Sequence, residues 1–325
     1  MQAVQSVIRQ TGGPDAIGFD QVELGKPGPG QVLMRHEAVG VNFIDTYHRS
    51  GLYEVPLPGG LGLEASGVVE EVGEGVGNVR PGDRVATFKS GLGAYSSARI
   101  VDAEWLVPLP GAVDFEQAAA LMLKGCTAEA LIERCAGVKR GDVVLVHAGA
   151  GATGQIMIRW LAHIGAIVVA SAGSRDKQAT ARAAGASLVC GYAEDELLNT
   201  VRQASEGKGA DVIFDGVGAD TWEVSLKAAK CRGLVVSFGN ASGPVTGVSL
   251  GALSAHGSLF TTRPTMMHYY AKRDEFRAGT SRLMQMIADG IVQADIGTRL
   301  PLQDAAKAHR MLEDRKTVGA TILKP

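Results

Sequence analysis

The sequence has no C-x-x-C pair, no H-E-x-x-H and no cluster of Cys and His at metal-ligand spacing, so a protein-bound zinc is not expected. Its four cysteines, Cys126, Cys135, Cys190 and Cys231, sit among apolar residues and read as buried thiols acting as small hydrophobes. Neither sign of charge is in excess: 32 Lys and Arg face 34 Asp and Glu, a net charge of −2, which gives no field for nucleic acid or an acidic membrane surface. A long uninterrupted apolar run is also missing. Residues 143–158 carry no Asp, Glu, Lys or Arg, but His147, Gln155 and the glycines from Gly149 to Gly154 break them, so no membrane span is expected. The amino terminus, MQAVQSVIRQ, has no basic stretch followed by an apolar core, and a cytoplasmic address is the default expectation.

What is present is enough apolar material, 46% over 325 residues, for two packed domains. The first hundred residues break into short β-like runs at 3–8, 31–36, 65–72 and 84–88, punctuated by glycine and proline as in Gly25–Gly30 and Arg80–Asp83. An irregular, partly barrel-like β domain is expected from them. The character changes at Asp114, which with Gln117 has capping-box spacing before an alanine-rich helix. Lys124, beside Gly125, reads as a cation at that helix's C-terminus. From there the chain alternates amphipathic stretches with apolar runs at 143–147, 167–171, 187–190, 211–214, 234–238 and 258–261. Strands so short and continuously apolar are buried on both faces, which predicts an α/β fold with a doubly wound six-strand parallel sheet. Two helical stretches, 271–289 and 303–312, and a final strand at 320–323 are assigned to the first domain. The expected division is 1–125 plus 264–325 for one domain and 126–263, inserted in it, for the other.

The first run of the parallel sheet leads into Ala148-Gly149-Ala150-Gly151-Ala152-Thr153-Gly154 and then a helix. Small residues there let a backbone approach a pyrophosphate, whose charge is met by the open N–H groups at the helix start. An NAD site is expected to show an acid about 20 residues further on; here the place falls at Ala172-Gly173-Ser174, with Arg175 and Lys177 following. A 2′-phosphate is the better match, and NADPH the expected cofactor. His147 reads as a strand-end histidine packed beneath the turn. None of the six tyrosines has a lysine four residues later, so the Tyr/Lys proton donor of short-chain reductases is missing. With no metal and no such pair, a conjugated acceptor that spreads the arriving charge is a better substrate than an ordinary ketone.

Four stretches carry a family resemblance: Val41-Asn42-Phe43-Ile44-Asp45-Thr46-Tyr47, Gly62-Leu63-Glu64-Ala65-Ser66-Gly67, the glycine turn, and Ser237-Phe238-Gly239-Asn240-Ala241-Ser242-Gly243. The chain resembles throughout the zinc-free, zeta-crystallin-like quinone oxidoreductases of the medium-chain dehydrogenase/reductase superfamily. Zinc-containing relatives offer cysteine where Asn42 stands and histidine where Leu63 stands. The resemblance implies a six-strand Rossmann sheet inserted in a GroES-like domain, and zinc-independent reduction of quinones by NADPH in a cleft between the two. It implies Asn42 and Tyr47 as the polar lining beside nicotinamide and substrate, and Thr127 as a nicotinamide-side contact. Ala150, Gly151, Ala152 and Thr153 resemble the pyrophosphate turn; Gly173, Ser174 and Lys177 the 2′-phosphate pocket, with Tyr192 beside it. Val217, Phe238, Gly239, Asn240, Ala241 and Arg263 resemble the remaining cofactor wall. The usual G-G-V-G ending of the turn reads Gly151-Ala152-Thr153-Gly154 here. Reduction of 2-alkenals or enones is the nearest alternative, and an RNA-binding or structural crystallin-like role the alternative of another class. The resemblance also implies a homodimer, joined through the stretch 245–262, which is short of charge and ends in the β-like run at 258–261, with Leu259 in the interface.

Overall fold

A computed structural model describes all residues, 1–325, and divides them into two compact units, Met1–Leu123 with Gln293–Pro325, and Lys124–Val292. The first unit is built on a seven-stranded sheet in which Gln31–Val41 pairs antiparallel with Glu64–Val72, Ala98–Asp102 and Ala320–Lys324. The short strands Arg84–Thr87 and Val107–Pro108 continue it on one side, and Ile296–Pro301 closes the other. A hairpin of Gln2–Ile8 with Ile17–Glu23 lies apart from this sheet. Two apolar clusters fill the unit, one around Ile8, Val39, Leu61, Tyr95 and Leu323, the other around Val32, Met34, Val69 and Val85. At about 1.5 to 3 kcal/mol for each fully buried large side chain, these clusters supply the main drive to fold.

The second unit is a parallel sheet of six strands: Val143–Val146, Ile167–Ser171, Leu188–Cys190, Ala210–Asp215, Ala229–Ser237 and Phe260–Thr262. Numbered in that order they lie side by side as 3-2-1-4-5-6, the doubly wound arrangement. The central strand is buried at every position because helices cover both faces. No helix in the protein is long and apolar enough to cross a membrane.

Three expectations are corrected. Residues 264–292 belong to the second unit, not the first. The helix Arg273–Ala288 sits there because Leu283 packs onto Gly125, where an added Cβ would fall 2.5 Å from Leu283 Cδ1, and Arg282 pairs with Glu133 at 2.9 Å. Tyr270 adds hydrogen bonds to Glu129 Oε2 at 2.6 Å and the Cys126 carbonyl at 3.1 Å. Lys124 does not end its helix, which runs from Phe115 to Glu129; Gly125 serves close packing rather than a stop. Of the cysteines, Cys126 and Cys190 are buried and Cys135 is half-buried, but Cys231 is exposed. Its strand protrudes there, with Arg232 in the left-handed conformation at φ 61°.

Candidate active site

In a parallel sheet the residues that follow each strand lie along one edge, and the order 3-2-1-4-5-6 opens a crevice where the direction of winding reverses, between the first and fourth strands. The turn Ala148–Gly154 follows the first strand. Gly173, Ser174 and Lys177 follow the second and Tyr192 the third; Val217 follows the fourth, Phe238 to Ala241 the fifth and Arg263 the sixth. The expected cofactor residues therefore share that edge, except Thr127, which lies half-buried on the helix preceding the first strand, and Asn42, which belongs to the first unit.

The turn is shaped for an anion. Ala148 adopts φ 53°, and its carbonyl accepts the Gly151 N–H at 2.9 Å. Gly151 is the extended N-cap of the Ala152–Ile164 helix and no side chain caps it, which leaves the first N–H groups directed outward. Gly149 and Gly154 serve a different need. A Cβ on Gly154 would lie 2.5 Å from the Ala148 carbonyl, and one on Gly149 2.8 Å from the Ala170 Cβ, so both let helix and strand pack closely. Beside them, the Tyr192 ring packs on Gly173, 3.5 Å from where a Cβ would stand, and stacks on His147 at 6.5 Å. Ser174 caps the helix Arg175–Ala183 by accepting the Lys177 N–H at 3.3 Å, which puts Arg175 and Lys177 in its first turn. Cations at a helix start oppose its dipole, an arrangement that an added anion relieves.

Beneath the turn runs a buried polar chain that sequence reading missed. Ser171 Oγ donates to His147 Nδ1 at 2.8 Å, His147 Nε2 donates to Ser225 Oγ at 3.0 Å, and Ser225 donates to Asp215 Oδ2 at 3.0 Å. This order follows from the acid at one end, which only accepts. Burial pushes the His147 imidazole below its usual value, and the Asp215 charge partly opposes this. Asp215 Oδ1 accepts the N–H groups of Val217 at 2.9 Å and Gly218 at 3.0 Å, and Thr221 Oγ1 reaches both oxygens at 2.8 Å. The wall carrying Val217 is thus hung on one fully buried carboxylate. Across from it, Arg263 Nη1 donates to the Gly239 carbonyl at 2.9 Å, and a Cβ on Gly239 would fall 2.2 Å from the Gly216 carbonyl.

In the first unit, Asn42 precedes the helix Phe43–Ser50, and its backbone N–H is received by Asp45 Oδ2 at 2.8 Å. Asn42 Nδ2 donates to Glu64 Oε2 at 2.9 Å, so the amide is oriented with Oδ1 left as its acceptor. Glu64, fully buried, also accepts the Leu123 N–H at 2.7 Å; a Cβ on Gly40 would stand 2.3 Å from its Oε2. Tyr47 lies one turn along the helix, buried, with its ring edge-on to Tyr53 at 5.3 Å. A second chain holds this helix from behind. Tyr95 donates to Asp45 Oδ2 at 2.9 Å and accepts from His309 Nε2 at 3.0 Å, while Arg49 Nη1 donates to His309 Nδ1 at 3.4 Å and its guanidinium pairs with Glu313 at 2.5 Å. Glu64 stands in the stretch Gly62-Leu63-Glu64-Ala65-Ser66-Gly67, where a lone acid in an otherwise uncharged run is the signal that marks it. Leu63 is core, and no three His, Cys, Asp or Glu side chains converge anywhere in the structure.

A doubly wound parallel sheet with a phosphate-type turn at its switch point, joined to a GroES-like β unit, defines a dinucleotide-dependent oxidoreductase of the medium-chain type. Residues 28–111 match the alcohol dehydrogenase GroES-like domain and residues 152–285 the zinc-binding dehydrogenase domain. The chain is 44% identical to a quinone oxidoreductase of Salmonella typhimurium over 99% of its own length and 100% of the relative's, and 40% identical to a 2-haloacrylate reductase of a Burkholderia species over 98% of each. The solved structure of Escherichia coli quinone oxidoreductase complexed with NADPH superposes with a TM-score of 0.96 at 41% identity, covering 99% of this chain and all of the other. The chain belongs to the quinone oxidoreductase family.

Proposed function

We propose that the protein is a zinc-independent NADPH:quinone oxidoreductase. The observation that carries this is the neutral end of the second strand, Gly173-Ser174, with Lys177 in the first turn of the next helix and the Tyr192 ring beside it. A 2′-phosphate fits such a place and a bare ribose hydroxyl gains little from it. Ala150 to Thr153 hold the pyrophosphate at the uncapped helix start, while Val217, Phe238 to Ala241, Arg263 and Thr127 complete the wall. NADPH supplies the hydride. Asn42, held by Glu64, orients the amide end of the cofactor or the acceptor, and the Tyr47 hydroxyl steadies the acceptor oxygen as charge arrives there; catalysis is mainly positioning. Lys177→Ala is expected to weaken NADPH binding by about 1 to 3 kcal/mol and leave NADH nearly untouched. Titration of both cofactors checks it, and equal losses for the two would defeat the assignment. Turnover of a simple quinone beside a simple enal, each with NADPH, tests the substrate class; enal reduction alone would overturn it. Metal analysis of the active protein is expected to find no stoichiometric zinc, since Asn42 and Leu63 stand where zinc-bearing relatives have ligands.

The same reading includes a homodimer formed through the sixth strand. Phe260–Thr262 is the last strand of its sheet, and Phe260 is 62% exposed, an open apolar edge of the kind that pairs with a second copy. Leu259 does not belong to that edge: it is buried in the core of the second unit. Phe260→Lys is therefore the informative change. Sedimentation at micromolar concentration is expected to give a dimer for the native protein and a shift toward monomer for the variant. A monomeric native protein would exclude the arrangement.

A further inference from the structure

Gln155 holds the glycine turn from the helix side. It is 2% exposed, the fourth residue of the helix Ala152–Ile164, and its side-chain Nε2 donates to the Ala150 carbonyl at 2.8 Å. Its backbone N–H donates to the Gly151 carbonyl at 2.9 Å. The peptides on both sides of the Gly151 cap are therefore tied to Gln155, and the Ala150–Gly151 peptide is fixed at its other end too, where the Gly151 N–H meets the Ala148 carbonyl. A glycine cap rotates more freely than any other residue, and Gly151, at φ −71° and ψ 161°, has no side chain to steady the entering chain against the helix. Apolar packing between the residue before a cap and the fourth helical residue is a common way to fix that entry angle. Here a hydrogen bond joins the same pair of positions, Ala150 and Gln155. Stability does not call for the amide. Its Oε1 is buried and has no hydrogen-bond partner, which is unfavourable, and an unbranched apolar side chain of the same length fills the space without that oxygen. The donor is what the position gains from a glutamine.

We infer that Gln155 is a positioning residue for the dinucleotide pyrophosphate, setting the direction in which the open N–H groups at the head of its helix point. Resting on the cofactor reading above, this role concerns the part of the ligand that NADPH and NADH share. Gln155→Met, and Gln155→Leu beside it, remove the donor and keep an apolar side chain in its place. Calorimetric titration of the full-length variants is expected to show NADPH and NADH weakened by the same factor, about five- to ten-fold. Adenosine 2′-monophosphate, which has no pyrophosphate, should bind the variants as it binds the native protein, and so also shows that they are folded. Lys177→Ala gives the opposite pattern, losing NADPH and adenosine 2′-monophosphate while sparing NADH. Dinucleotide affinities equal to the native ones, or a loss that extends equally to adenosine 2′-monophosphate, would overturn the role. A native protein without preference for NADPH over NADH defeats the 2′-phosphate assignment alone; equal loss of both dinucleotides in the variants then still upholds the role of Gln155. A native protein that binds neither dinucleotide overturns both.

Discussion

Asp215→Ala is expected to destabilise the second unit by about 3 to 5 kcal/mol, as removal of one partner from a buried charged network does. The carboxylate is fully buried and serves four residues at once: the N–H groups of Val217 and Gly218 and the hydroxyls of Thr221 and Ser225. Alanine leaves those donors without an acceptor in a place water does not reach. It also deprives the start of the helix Trp222–Ala228 of a nearby negative charge. Because Ser225 receives the His147 imidazole, the loss travels to the strand beneath the phosphate turn. Asp215→Asn should cost less, since an amide keeps one accepting oxygen but turns a donor toward the other partners. Urea unfolding of the three proteins measures this, with NADPH affinity expected to fall alongside as the Val217 wall loosens. A loss below about 1 kcal/mol for the alanine variant would mean that the network does not support this wall.

Between pH 7 and pH 5 the protein is expected to lose about 3 to 4 kcal/mol of stability through two buried histidines. His36 and His309 are each pushed from an ordinary 6.5 down to about 3, in both cases by burial first and then by a neighbouring arginine, Arg99 and Arg49 respectively. Both are neutral when folded, whereas in the unfolded chain they take up protons below about 6.5. The unfolded state therefore binds more protons in this window. Stability is full above 6.5 and declines as pH falls toward 3, each histidine contributing about 1.4 kcal/mol per pH unit. His309→Gln should remove that ring's share of the slope, about 1.4 kcal/mol per pH unit, while losing some stability at pH 7, because Tyr95 and Arg49 both hydrogen bond to that ring. Urea unfolding across the range provides the test. A flat profile from pH 7 to 5 would show that these rings are protonated in the fold or exchange freely with solvent.

The six strands of the parallel sheet were legible because burial on both faces demands continuous apolar runs, as in Val143–Val146. The phosphate turn was legible for a related reason: close backbone approach excludes side chains, and only small residues remain. Half-exposed strands gave no such mark. Ile17–Glu23 alternates weakly around Gly18, and Ile296–Pro301 contains both glycine and proline, so neither separates from turn sequence. Residue 264 follows closely on the sixth apolar run, the natural end of a six-strand sheet in sequence, whereas the position of the Arg273–Ala288 helix is decided by side chains distant in sequence, Leu283 on Gly125 and Arg282 on Glu133. Long-range contacts of that kind leave no periodicity. Leu259 and Phe260 show the same limit on a smaller scale. Both are apolar neighbours, yet the alternation of a strand sends one into the core and the other outward, and the register that decides which is set by pairing with Leu234. Asp215 and Glu64 are single acids at the edges of apolar runs; their importance lies in how many donors converge on them, which only the folded chain shows.

The pairing of Thr321–Leu323 with Val39–Val41 sets a timetable for synthesis. The first unit is drawn from both ends of the chain, while the second is contiguous from Lys124 to Val292. During translation the Val39–Val41 end of the Gln31–Val41 strand therefore emerges well before Thr321–Leu323 and keeps one edge open until they follow, while pairing with Glu64–Val72 and Ala98–Asp102 can already form. The second unit, with all its strands already delivered, is free to close first. A nascent chain stalled before residue 320 would carry a finished nucleotide unit beside an unfinished, aggregation-prone β unit, and a variant lacking residues 320–325 would remain in that condition.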